Sequence, residues 1–167
     1  MSEQLLNRIP RNLARTGALT ALTALVGSAA SRSPEKTSWF RNLRKPPFQP
    51  PAVVFPVVWT ALYADIAVSS AIALDRLQEE GDRANERRLA LALLANLAVN
   101  AGWSWVFFRS HRLAVAPVIA AALAVSSSDL AMRVGRVDRS AGLALVPYPL
   151  WCSFATVLSA AIWRNNR

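Results

Sequence analysis

The sequence predicts an all-α integral membrane protein: a five-transmembrane-helix bundle. Three observations predict it. Hydrophobic residues make up 53% of the 167-residue chain and charged residues only 17%, with a mean hydropathy of +0.26; soluble domains carry about 25% charge. The charges are segregated. None lies between Arg15 and Arg32, between Arg88 and Arg109, or between Arg139 and Arg164, and only Asp65 and Asp129 interrupt the blocks Lys45–Asp75 and Arg112–Arg133. Each block is close to a bilayer-crossing length: about 20 residues rising about 1.5 Å each span about 30 Å of hydrocarbon, where a single segment satisfies its own backbone as a helix.

In chain order the spans are expected near 14–31, 53–74, 89–108, 113–132 and 141–163, forming one membrane domain over residues 1–167. The first follows Arg8, Arg11 and Arg15 and is rich in Thr and Ala. It has a rival reading as a cleaved signal peptide ending near Ser28-Ala29-Ala30. Residues 32–51 are expected to form an ordered, Pro-rich lid loop. Five spans put the two termini on opposite sides, but Lys and Arg divide ten against nine, so charge asymmetry sets no orientation.

Composition excludes several classes. Cys152 is the one cysteine and His111 the one histidine, so neither a disulfide framework nor a four-ligand zinc site is available. The net charge of +9 is spread over all six extramembrane pieces, which suits interfacial anchoring and not a nucleic-acid face.

Within the spans, small residues recur every fourth position: Ala116, Ala120, Ala124 and Ser128, and less regularly Gly17, Ala21 and Leu25. Such stripes allow close helix approach, either inside the monomer or across a dimer. The aromatic stripes carry more information. Phe55, Trp59 and Tyr63 share one helical face, Asn96, Asn100, Trp103 and Phe107 another, and Trp151, Ala155 and Ser159 a third. An amide in hydrocarbon turns toward the bundle interior, and Trp103 and Phe107 turn with it. Three helices then offer flat aromatics beside a few hydrogen-bonding groups, which suits a flat apolar ligand with polar edges. Pro56, Pro117, Pro147 and Pro149 start or kink spans. Asp65 is a mid-span carboxyl off the Phe55/Trp59/Tyr63 face, while Asp129 lies near a span end. The loop from Trp39 and Phe40 through Phe48 to Pro51 interleaves aromatics with Arg41, Arg44 and Lys45, cations placed to meet ligand carboxylates.

Four motifs together resemble the tryptophan-rich sensory protein / translocator protein family, the peripheral benzodiazepine receptor-like proteins. They are Trp39-Phe40 through Lys45-Pro46 to Pro50-Pro51; Trp59-Thr60-Ala61-Leu62-Tyr63; Asn100-Ala101-Gly102-Trp103-Ser104 with Phe107-Phe108; and Pro147-Tyr148 with Trp151, Phe154-Ala155-Thr156 and Trp163-Arg164. The resemblance covers roughly residues 17–166. It implies a bundle that is commonly a homodimer, with a loop-closed pocket for porphyrins such as protoporphyrin IX. The positions Trp39, Phe40, Trp59, Tyr63, Asn100, Trp103, Trp151 and Ala155 match that pocket. Departures are Phe40 where Tyr is common, Asn96 where Gln is common, and Ser159-Ala160 in place of the Asn-Tyr of animal relatives. The last breaks a proposed cholesterol motif, so sterol transport is not expected.

The leading expectation is therefore a receptor or carrier for tetrapyrroles, with membrane lipid as its surroundings, no obligatory cofactor and no metal. Candidate haem ligands (His111, Cys152, Met132, Tyr63, Tyr148) fall in no paired motif. The resemblance also implies an alternative, light-dependent porphyrin degradation at Trp39 and Trp151. A third reading is a structural membrane protein whose stripes only pack. An Ala-, Arg- and Leu-rich composition points to a bacterial cell membrane.

Overall fold

The computed structural model describes residues 9–30 and 38–167, and every regular element among them is helical. The elements are α1 (Leu13–Ala30), a short α2 (Ser38–Asn42), α3 (Val54–Glu79), α4 (Arg83–Ser104) running into a π-helical turn (Trp105–Arg109), α5 (Ala116–Val137), α6 (Arg139–Ala144) and α7 (Pro147–Asn165). Among the described residues, five stretches are long and apolar enough to cross a membrane: Leu13–Ala30, Val54–Glu79, Arg83–Arg109, Ala116–Val137 and Arg139–Asn165. Residue 31 at the end of the first expected span, the lid-loop residues 32–37 and the N-terminal residues 1–8 lie outside the described part.

The span boundaries differ from the expected ones at one end of the bundle. The charged segment 75–88 is not a loop: α3 runs to Glu79 and α4 begins at Arg83, leaving a three-residue turn. Charged side chains favour water but do not stop a helix, so α3 and α4 project beyond the apolar block. The stop is local. Gly81 takes φ +72°, a left-handed conformation that suits glycine, and Asp82 caps α4 by accepting the Asn85 backbone N–H at 3.0 Å. Likewise α5 continues to Val137, and the fifth span is divided between α6 and α7 just before Pro147.

The same end is tied by polar contacts. The Asp75 carboxylate, on α3, accepts the backbone N–H groups of Arg11 and Asn12 and so caps the start of α1 from a neighbouring helix. Asn12 Nδ2 adds a bond to Asp75 at 2.6 Å, and Arg11 pairs with Glu79 at 2.8 Å. Asp138 accepts the Ala141 N–H at 2.8 Å, caps α6, and pairs with Arg76. Below that cap α5 and α6 close onto each other at Gly135 and Gly142, where a Cβ on Gly142 would overlap the Gly135 backbone.

The bundle is apolar outside as well as inside, as a lipid-facing surface requires. Leu22, Leu25, Val57, Leu91, Val118, Val125, Leu150 and Val157 are all more than half exposed. In α1 the stripe of Gly17, Ala21 and Leu25 does not pack inside the monomer: Leu25 is 67% exposed, and the buried face is Thr16, Thr20, Thr23 and Gly27. Threonines can be buried here because their hydroxyls bond backbone carbonyls. Thr20 donates to Gly17 O at 3.0 Å, Thr23 to Leu19 O at 2.9 Å, and Thr16 crosses to Ala67 O of α3 at 2.8 Å. In α5, Ala116 and Ala120 are buried within the monomer, and α5 packs chiefly against α7 and α4. Asp129 pairs with Arg133 one helical turn on, at 2.6 Å. Asp65 accepts a bond from Ser69 Oγ at 2.9 Å on its own helix.

Candidate functional site

At the opposite end the helices separate around a cavity of about 640 Å³. α1 contributes Ala24, Gly27 and Ser28; α3 contributes Phe55, Trp59 and Tyr63; α4 and its π turn contribute Asn100, Trp103, Phe107 and Phe108; α7 contributes Trp151, Ala155 and Ser159; and the Pro-rich loop contributes Phe40 and Gln49. Large rings hold the elements apart. Phe55 and Trp151 meet edge-on across α3 and α7 with centroids 5.8 Å apart, and Trp59 meets Tyr63 at 5.6 Å. Trp103 stacks on Phe107 at 5.5 Å and 15°, so the α4 wall is a flat double ring. The π turn adds a residue to the helical repeat, which brings Phe108 beside Phe107 on the cavity side, edge-on at 4.8 Å. α1 can approach α4 because residue 27 is glycine: a Cβ there would stand 3.3 Å from Ser104 Oγ.

The floor is a hydrogen-bonded chain linking four helices. Tyr63 O–H donates to Asn100 Oδ1 at 2.8 Å; Asn100 Nδ2 donates to Tyr148 Oη at 3.0 Å; Tyr148 O–H donates to Asn96 Oδ1 at 2.8 Å; and Asn96 Nδ2 donates to Ser126 Oγ at 3.1 Å. Asn96 and Tyr148 are fully buried and Asn100 is 2% exposed. Each amide thus has its carbonyl and an N–H satisfied, which is what allows two asparagines to sit in mid-membrane. The lid loop is anchored separately. Asn166, after α7, accepts the Arg44 backbone N–H at 2.9 Å and donates to the Arg44 carbonyl at 3.0 Å.

This arrangement has known counterparts. A sequence profile of the TspO/MBR family matches residues 16–164. The chain belongs to the TspO/MBR family. It is 35% identical over 130 residues to protein CrtK of Rhodobacter capsulatus, covering 77% of this chain and 79% of that one. It is 32% identical over 149 residues to the tryptophan-rich sensory protein of Cereibacter sphaeroides, covering 89% and 88%. It is 29% identical over 150 residues to the translocator protein of Bos taurus, covering 89% and 86%. Like its TspO/MBR relatives it is an integral membrane protein, and its five long apolar helices give the physical form of that statement.

In this TspO/MBR chain the cavity gathers ten of the residues singled out from the sequence: Phe40, Phe55, Trp59, Tyr63, Asn100, Trp103, Phe107, Trp151, Ala155 and Ser159. Trp39 is placed one layer out, stacked on His111 at 3.9 Å and edge-on to Phe107 at 6.0 Å. Of the two tryptophans considered for oxidation chemistry, Trp151 alone lines the cavity. Phe48 is 47% exposed and packs edge-on to Phe154 at 6.4 Å. The loop cations Arg41, Arg44 and Lys45 are not among the cavity-lining residues; Lys45 Nζ stands 4.4 Å over the Phe40 ring. Their placement follows from the loop backbone, which is clamped at Arg44 and turns after Pro46. Among the described residues no group of three or more His, Cys, Asp or Glu is assembled.

Tyr148, singled out in a motif and as a candidate haem ligand, instead carries the centre of the hydrogen-bonded chain. One cavity residue not singled out was Gln49, which carries the one amide in the run from Pro46 to Pro51.

Proposed function

We propose that the chain is a receptor or carrier that takes a flat tetrapyrrole, with protoporphyrin IX as the probe of choice, into the inter-helix cavity. In this reading it senses or moves the ligand as a homodimer in a bacterial cell membrane. The cavity carries the proposal. Its volume of about 640 Å³ falls within the range of about 300–1,000 Å³ usual for small-molecule sites. Its walls are ring faces and edges from Phe55, Trp59, Trp103, Phe107 and Trp151, arriving from three helices. A planar conjugated ring gains both apolar burial and stacking from such walls, whereas an aliphatic ligand gains burial alone. Polar groups are few and fixed, as a site that orients one ligand requires. Relatives named as a sensory protein and as a translocator protein are consistent with recognition or movement of a ligand.

The test is quenching of tryptophan fluorescence in the detergent-purified protein, titrated with protoporphyrin IX in the dark. Saturable binding is expected, and Trp151→Phe is expected to weaken it by roughly 3–10-fold through the lost ring area and indole N–H. Non-saturable quenching, or a Trp151→Phe variant that binds like the parent, overturns the assignment. Illuminating the same complex and looking for a chemically altered porphyrin separates a receptor from the oxidative enzyme.

A further inference from the structure

We infer that Gln49 is a specificity-determining residue of this cavity, whose side-chain carbonyl receives an N–H or O–H donor on the polar edge of the ligand. The inference rests on the cavity being the ligand site proposed above. Among the described residues four buried side-chain polar atoms have no hydrogen-bond partner: Gln49 Oε1, Trp103 Nε1, Trp151 Nε1 and Ser70 Oγ. The first three belong to residues lining the cavity described above. Buried polar atoms in native proteins are nearly always paired, so three unpaired ones on residues that line a single cavity point to a ligand that supplies their partners. The wall is not unsatisfied in general, since Tyr63 and Asn100, which also line it, are bonded.

The position of Gln49 is built into the loop. Its backbone N–H donates to Pro46 O at 3.1 Å, closing a turn over Pro47 and Phe48, and Pro46 itself is buried. Two residues before that turn, Asn166 clamps the Arg44 backbone from both sides. Three prolines flank or enter the turn, so the amide is held with little backbone freedom to lose on binding.

The donor and acceptor types then define the ligand edge. An indole nitrogen donates only, and an amide carbonyl accepts only. An edge complementary to all three orphans carries acceptors for Trp103 and Trp151 and a donor for Gln49. A primary amide, a lactam or a neutral carboxylic acid has both; an ester has acceptors alone and leaves Gln49 Oε1 unpaired. A site built to bond a donor rejects the analogue that lacks it.

The experiment compares two uncharged derivatives of one porphyrin, the bis-amide and the dimethyl ester of protoporphyrin IX, alongside the free acid, by fluorescence quenching of the full chain in detergent. The parent is expected to bind the bis-amide roughly 3–10-fold more tightly than the ester. Gln49→Leu is expected to remove that preference by weakening the amide alone. Trp103→Phe keeps a ring but loses the N–H, so it is expected to weaken both derivatives by a similar factor. Equal affinities in the parent, a Gln49→Leu variant that weakens both derivatives equally, or binding of the free acid alone each overturn the inference. If none of the three porphyrins binds the parent, the receptor reading itself fails and this one with it. Gln49 lies outside the membrane-spanning helices, so the variant is expected to elute and give a far-ultraviolet spectrum like the parent. Gln49→Met repeats the comparison should the leucine variant not fold.

Discussion

Tyr148→Phe removes a single oxygen from the centre of the chain that links four helices, and its cost can be worked from the partners it leaves. The hydroxyl is fully buried, donates to Asn96 Oδ1 at 2.8 Å and accepts from Asn100 Nδ2 at 3.0 Å. Both partners are themselves at most 2% exposed, so neither gains water when the hydroxyl is lost. A buried hydrogen bond contributes about 1 kcal/mol net in water-soluble proteins and about 0.6 kcal/mol on average between membrane helices. Two bonds lost, with two polar atoms stranded, give an expected destabilisation of about 1–3 kcal/mol. Tyr63→Phe is the control. Tyr63 is the terminal donor, so its loss removes one bond and strands only Asn100 Oδ1. Its expected cost is about half as large. Unfolding of the purified protein by an SDS titration, followed by circular dichroism, measures both. A Tyr63→Phe cost equal to or above that of Tyr148→Phe would refute the chain as the element that joins α3, α4, α5 and α7.

Two further outcomes follow from the other end of the bundle. Gly142→Ala places a Cβ against the Gly135 backbone, which cannot move as a side chain would, so a loss of at least about 1–3 kcal/mol is expected in the same titration. Gly135→Ala meets its nearest neighbour at 3.6 Å, an ordinary contact, and is expected to cost less. Asp138 is pH-dependent. The Ser140 hydroxyl, then the Ala141 N–H, hold its carboxyl below the ordinary carboxylate value; burial opposes them and Arg76 adds to them. A folded value below the unfolded one means that the stabilisation is complete above about pH 4 and is lost as pH falls through the lowered folded value. Asp138→Asn is therefore expected to lower the melting temperature at neutral pH. The gap to the parent should close in strong acid, and a gap that stays constant with pH would contradict the assignment.

Much of the site was legible because helical periodicity acts within one segment. Phe55, Trp59 and Tyr63 share a face whatever packs against them, and so do Trp151, Ala155 and Ser159. The cavity uses both faces. Periodicity failed where the helix departs from 3.6 residues per turn, as at the π turn that brings in Phe108. It also failed in α1, where four-residue spacing picked out Gly17, Ala21 and Leu25 and missed the buried face. In lipid the leucines face outward at no cost, and threonines bonded to their own backbone take the inner face.

The sequence by itself determined the five spans and the aromatic character of the interior. Unpaired charge is costly in hydrocarbon, and its placement along the chain therefore marks the segments that cross. Only the tertiary structure decided which polar groups are paired within the fold and which stay unpaired beside the cavity. Asn100 lines the cavity, and Tyr63 and Tyr148, 37 and 48 residues away, already use its carbonyl and an N–H. Gln49 looked like a loop residue, yet a turn and the distant Asn166 clamp hold it at the cavity with its carbonyl unpaired. Pairing across such separations depends on how the helices come together, and no local pattern in the chain carries that information.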